Sequence, residues 1–134
     1  MRRTVVLLAL LVAAVAVSGA ESATAPTKVT VKLKEFKIIP SVTTVKAGKV
    51  TFVVSNVGKI NHELVVLKTN VAPGKLKENK DHEVSEKSSV GEVGEVHHGA
   101  TRSGTLTLGP GKYQLICNLP SHYSAGQYVG FTVK

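Results

Sequence analysis

The sequence predicts an all-β protein, a Greek-key β-sandwich of about seven strands, and three observations point there. Several short runs alternate apolar and polar residues with a period of two, the pattern of strands that present one face to a core. Glycine, proline and asparagine stand between these runs, so turns follow one another closely. No stretch after the N-terminal leader carries a sustained helical period, and the short connections favour mostly antiparallel neighbours.

Residues 1–20 read as a secretory signal peptide. Met-Arg-Arg is followed by an apolar run from Val5 to Val17, shorter than the ~20 residues a stable transmembrane helix needs. Ser18-Gly19-Ala20 supplies the small residues of a cleavage site. Ala23-Thr24-Ala25 has the same small-x-small form, but Pro26 after the cut disfavours it. Residues 21–134 are then a single domain, exported to the periplasm or the cell exterior, with no transmembrane anchor in the mature chain.

Val29, Val31 and Leu33 alternate with Lys28, Thr30 and Lys32, giving a lysine-decorated edge strand whose phase breaks at Glu35-Phe36, the sign of a bulge. Pro40 ends this region, and Val42 to Val45 leads to the turn Lys46-Ala47-Gly48-Lys49. Val50 to Ser55 is a strand with Val50, Phe52 and Val54 inward, closed by the turn Asn56-Val57-Gly58. Ile60 to Lys68 is the next, with Ile60, His62, Leu64 and Val66 sharing the inward parity.

From Thr69 to Ala100 the alternation dissolves. A structureless loop of that length is unusual in a compact domain, so short helix or turns are expected at about 73–90. His82, His97 and His98 fall in this polar, glycine-flanked stretch and read as solvated loop residues. Alternation resumes through Leu106 and Leu108, and Gly109-Pro110-Gly111 turns the chain into a strand with Tyr113, Leu115 and Cys117 on one face. Val129, Phe131 and Val133 form the inward face of the last strand. An immunoglobulin domain competes on strand count, but it ordinarily has two cysteines and a core tryptophan, where this chain has one cysteine and no tryptophan.

Loss of Arg2 and Arg3 with the leader lowers the net charge from +8 to +6. The lysines are spread thinly, with no long basic run and few aromatics among them, which argues against nucleic-acid binding and suits an acidic partner. A single cysteine in an oxidising compartment has no internal disulfide partner, so Cys117 pairs between chains, stays buried or holds a metal. His122 and Gln127 follow it on one short loop, and a thiolate with an imidazole suits a soft transition metal once a second imidazole joins. His62, at a strand start after a glycine turn, is placed to be that second imidazole, although a lone histidine on an apolar face is more often a core side chain. A Cys-His hydrolase would need an exposed thiol and an orienting acid, and no such spacing stands out.

A histidine at a strand start, followed near the C-terminus by Cys117, Pro120, His122, Ala125, Gly126 and Gln127 ahead of a last strand, resembles the blue (type 1) copper proteins, the cupredoxins. The likeness runs from about Lys28 to Lys134 and is nearest the plastocyanin-like and azurin-like exported bacterial proteins. It implies one copper ion cycling between Cu(I) and Cu(II), with His62 Nδ1, Cys117 Sγ and His122 Nδ1 as strong ligands and Gln127 as a weak axial one. Most of the family has methionine at the axial position; glutamine there resembles the stellacyanin-like branch. The chain's one methionine is Met1, in the leader. The family's usual Pro-Gly-His is here Pro120-Ser121-His122. The resemblance further implies a monomeric electron shuttle, not an enzyme, that meets a redox partner protein through a weak, transient contact. Electrons would pass at the exposed edge of His122 within an apolar patch of Leu119, Pro120, Tyr123 and Ala125, with Lys59 steering an acidic partner. The alternative is a copper chaperone or scavenger, to which the histidines of 69–100 would contribute.

Overall fold

Alternation at 28–33 does become a strand, but an interior one. The structure, a computed structural model, describes residues 24–134. Its strands are β1 (Thr27–Lys34), β2 (Lys37–Pro40), β3 (Thr44–Val45), β4 (Gly48–Asn56), β5 (His62–Lys68), β6 (Ser89–Val96), β7 (Thr101–Leu108), β8 (Gly111–Ile116) and β9 (Tyr128–Val133). One sheet has the order β2-β1-β4-β7, the other β3-β9-β8-β5-β6. The expected all-β sandwich is therefore present, with no helix among the described residues. The leader and its cleavage site lie outside the described residues.

Each sheet contributes alternate residues to a shared core. Val29, Val31 and Leu33 of β1 and Val50, Phe52 and Val54 of β4 meet Leu64 and Val66 of β5, Leu115 of β8 and Phe131 of β9. The inward parities expected for β1, β4, β8 and β9 hold because a period-two pattern has only one register that buries its apolar set. Most pairings are antiparallel; β1 with β4 and β3 with β9 are parallel.

Three expectations are corrected. The outermost strand of the first sheet is β2, so β1 is flanked on both sides, and the phase break at Glu35-Phe36 is the turn from β1 into β2. Ile60 is exposed, because the chain enters β5 only at His62. The turns expected at about 73–90 are present as a strap over 69–88, but the alternation does not stay lost to Ala100: the chain from Ser89 to Val96 is the strand β6. The strap crosses the outer face of the second sheet, burying Val65, Leu67 and Ile116 with Val84 and Tyr123 in a second cluster. Asn118 fastens it: its Nδ2 donates to Val84 O at 2.9 Å and its Oδ1 accepts from Val84 N at 2.7 Å. β5 and β8 read as nearly continuous apolar runs because both of their faces are covered.

Candidate metal centre

Three elements meet at one end of the sandwich. β5 begins there with His62, β8 has just ended before Cys117, and the turn between β1 and β2 folds over the top with Glu35 and Phe36. The loop between β8 and β9 is wound by its own backbone. His122 N donates to Leu119 O, Gln127 N to His122 O, and Cys117 N to Gln127 O, each at 3.0–3.1 Å. This winding returns His122 to the cysteine five residues earlier.

The side chains of His62, Cys117 and His122 offer ligand atoms that all lie within 4.8 Å of one another. His62 Nδ1 and His122 Nδ1 are 3.3 Å apart, and Cys117 Sγ is 3.2 Å from His122 Nδ1. His62 and Cys117 are fully buried, and His122 keeps a partly exposed edge. Gln127 is also fully buried; its Nε2 donates to Lys34 O at 3.3 Å, and its Oε1 has no hydrogen-bond partner. Two imidazoles and a thiol converging, with an unpartnered amide oxygen buried nearby, fit a soft or borderline transition metal.

The surroundings act on these donors in readable ways. Burial pushes the Cys117 thiol up to about 11, opposed by the backbone N–H groups of Glu63 and Leu119, so a metal must displace a tightly held proton. Glu63 N donates to Cys117 Sγ at 3.3 Å. Its carboxylate, raised to about 7 chiefly by burial, accepts from Asn118 N at 2.9 Å. One residue thus ties β5 to the cysteine and to the residue after it. His122 is lowered by burial and by the neighbouring His62. Phe36 packs edge-on to both imidazoles, with ring centroids 5.0 Å from His122 and 6.4 Å from His62.

Glu35, Phe36 and Glu63 leave only slight signals in the sequence. Glu35-Phe36 is the phase break, and Glu63 is a carboxylate in an otherwise apolar strand. Tyr123, expected in the patch around His122, is instead buried in the second cluster, its hydroxyl 3.0 Å from Gln114 Oε1. Phe36, Pro120 and Ala125 are the exposed apolar residues on the two turns that meet at His122. His82, His97 and His98 are exposed and outside the donor cluster; His98 Nδ1 contacts Gly58 O, and His97 Nδ1 lies 3.6 Å from Glu95.

A sequence profile described as a cupredoxin-like domain matches residues 7–129. No curated protein matches the chain. Among solved structures, it is similar to a reduced auracyanin from the photosynthetic bacterium Roseiflexus castenholzii, with a TM-score of 0.65 and 20% identity over 82% of this chain and 98% of that one. Auracyanin A, described as a blue copper protein from Chloroflexus aurantiacus, gives 0.61 and 18% over 82% and 100%. Reduced rusticyanin gives 0.58 and 18% over 82% and 81%.

Proposed function

The chain belongs to the cupredoxin-like domain family, and on that premise we propose that it is an exported type 1 copper protein that shuttles single electrons between redox partners. The observation that carries this reading is the convergence of His62 Nδ1, Cys117 Sγ and His122 Nδ1 in one largely buried cluster. Copper bound there supplies one-electron cycling between Cu(I) and Cu(II). Auracyanin and rusticyanin share this fold, and auracyanin A is a blue copper protein.

The protein's own contribution is to keep the donors still. His62 is held by a strand, Cys117 and His122 by a self-bonded loop, and Glu63 N–H donates to the sulfur that carries the most charge. Gln127 would supply a fourth, weaker donor; its buried, unpartnered Oε1 supports that role. Phe36 and the inner side chains exclude water, while the partly exposed His122 is the point of electron entry and exit. Such enclosure favours a resident ion over one passed between carriers. The mature domain begins at Glu21, and intact mass of the exported protein checks this.

The test is the visible absorption of purified protein after Cu(II) addition, where an intense thiolate-to-copper band is expected. His62→Ala, Cys117→Ser and His122→Ala each abolish it, since three strong donors leave no spare; His82→Ala, His97→Ala and His98→Ala leave it unchanged. A band that survives Cys117→Ser overturns the proposal.

A further inference from the structure

The two ring nitrogens of His62 face different surroundings. Nδ1 points to the donor cluster, while the fully buried Nε2 has no conventional hydrogen-bond partner. What faces Nε2 is Glu35 Oε1, 3.4 Å away. We propose that Glu35 is a positioning residue for His62, whose carboxylate fixes the Nε2–H tautomer and so presents Nδ1 as a stronger donor, holding the reduction potential down. This rests on the copper reading of the site.

The carboxylate is placed by the fold. Its Oε1 accepts from Lys59 N at 2.6 Å and Ile60 N at 2.9 Å, in the turn that leads into β5. That turn is braced by Asn56, which donates to Ile60 O at 2.8 Å and accepts from Gly58 N at 2.9 Å. Glycine at 58 is what leaves room: a Cβ there would lie 2.6 Å from Glu35 Oε1. Two backbone N–H groups on one oxygen suit a carboxylate, the ordinary form of glutamate at neutral pH. A carboxylate facing the outer N–H of a ligating histidine orients the ring and raises its donor strength, and losing such a partner costs about 10–100-fold in metal affinity. The gain is larger for the more highly charged Cu(II), which gives the potential its direction.

Glu35→Gln and Glu35→Ala test this together. Glutamine keeps an acceptor for Lys59 N and Ile60 N but removes the charge; alanine removes both. The visible band is expected in both variants. The preference for Cu(II) over Cu(I) falls about tenfold in Glu35→Gln, read by voltammetry as a rise of about 59 mV. In the metal-free protein, nitrogen-15 shifts of His62 report the Nε2–H tautomer in the wild type and a mixture in Glu35→Ala. If Glu35 only caps the turn, Glu35→Ala loses thermal stability while neither potential moves, and the proposal is overturned. A wild-type His62 protonated on Nδ1 overturns it as well. Absence of a band in the wild type would defeat the copper reading instead, and the metal-free tautomer would still decide the role of Glu35.

Discussion

Ser121 has a φ of 67°, in the left-handed region where a side chain is strained and glycine is not. It occupies the position where the resembling family usually has glycine, and its hydroxyl takes no part in the loop's bonds, whereas Ser124 Oγ donates to Ser121 O. Ser121→Gly should therefore stabilise the protein by ~0.5–1 kcal/mol, the relief of left-handed strain less the added freedom of the unfolded glycine. Thermal unfolding of the two forms checks it, and a lower midpoint in the variant would show that Ser121 is not strained. Gln127 carries a second prediction. An amide oxygen favours Cu(II) more than a thioether does, so if Gln127→Met removes ~2 kcal/mol of that preference, the potential rises by roughly 90 mV with the visible band retained. An unchanged or lowered potential in voltammetry would remove Gln127 from the axial position. Cys117 and His122 were legible because their spacing is local, and His62 because it opens a strand after a glycine turn. Glu35 was not, since what it touches, Lys59, Ile60 and His62, lies on another strand's approach and no pattern in the chain records that meeting.

The strap over the second sheet is held at one point by Tyr123. Its hydroxyl donates to Gln114 Oε1 at 3.0 Å and accepts from Gly74 N at 2.9 Å and Leu76 N at 3.3 Å, joining the site loop, β8 and the strap. Tyr123→Phe leaves all three groups underbonded in a buried place, which should cost about 1–3 kcal/mol. The ring stays packed against Tyr128, so the visible band is expected to persist. Urea unfolding followed by circular dichroism reads the loss, and an unchanged midpoint would show that the strap does not depend on this hydroxyl. β1, β4, β8 and β9 could be read from the sequence because each is regular enough to bury every second residue. β6 could not. Its pairing with β5 slips twice, between Leu64 and Val65 and between Val66 and Leu67, so its buried residues Val93 and Val96 stand three apart and the period of two is lost. Gly91 belongs to the same irregularity: its φ of 146° favours glycine, and a Cβ there would run into the Leu106 side chain across the sandwich, so a residue that reads as a loop marker sits inside a strand.

Across the whole molecule the carboxylates are sorted by sheet, while lysines occur on both. β1, β2, β4 and β7 contain no aspartate or glutamate, and Lys28, Lys32, Lys34, Lys37 and Lys49 are exposed on them. Apart from Glu35 in the turn and Glu21 outside the described residues, the carboxylates lie in β5, β6 and the segment between them. Only the thin overall positive charge was legible in the chain, because the sorting depends on which strands share a sheet. Lys34 pairs with Lys37 across the hairpin whose turn places Phe36 against His122, so the lysine column ends beside the proposed point of electron entry. A negatively charged reactant approaching that end meets a positive potential, and such steering changes association rates by about 10-fold or more at low salt. The screening length is ~10 Å at 0.1 M and ~3 Å at 1 M, so the effect should largely disappear over that range. The rate at which hexacyanoferrate(III) oxidises the reduced protein is therefore expected to fall several-fold as sodium chloride rises. In Lys32→Glu/Lys34→Glu/Lys37→Glu the low-salt rate should drop and the salt dependence flatten or reverse, while the visible band stays as it was. Stopped-flow measurement of both proteins across the salt series decides it: identical salt dependences would mean that this lysine column does not steer anionic reactants.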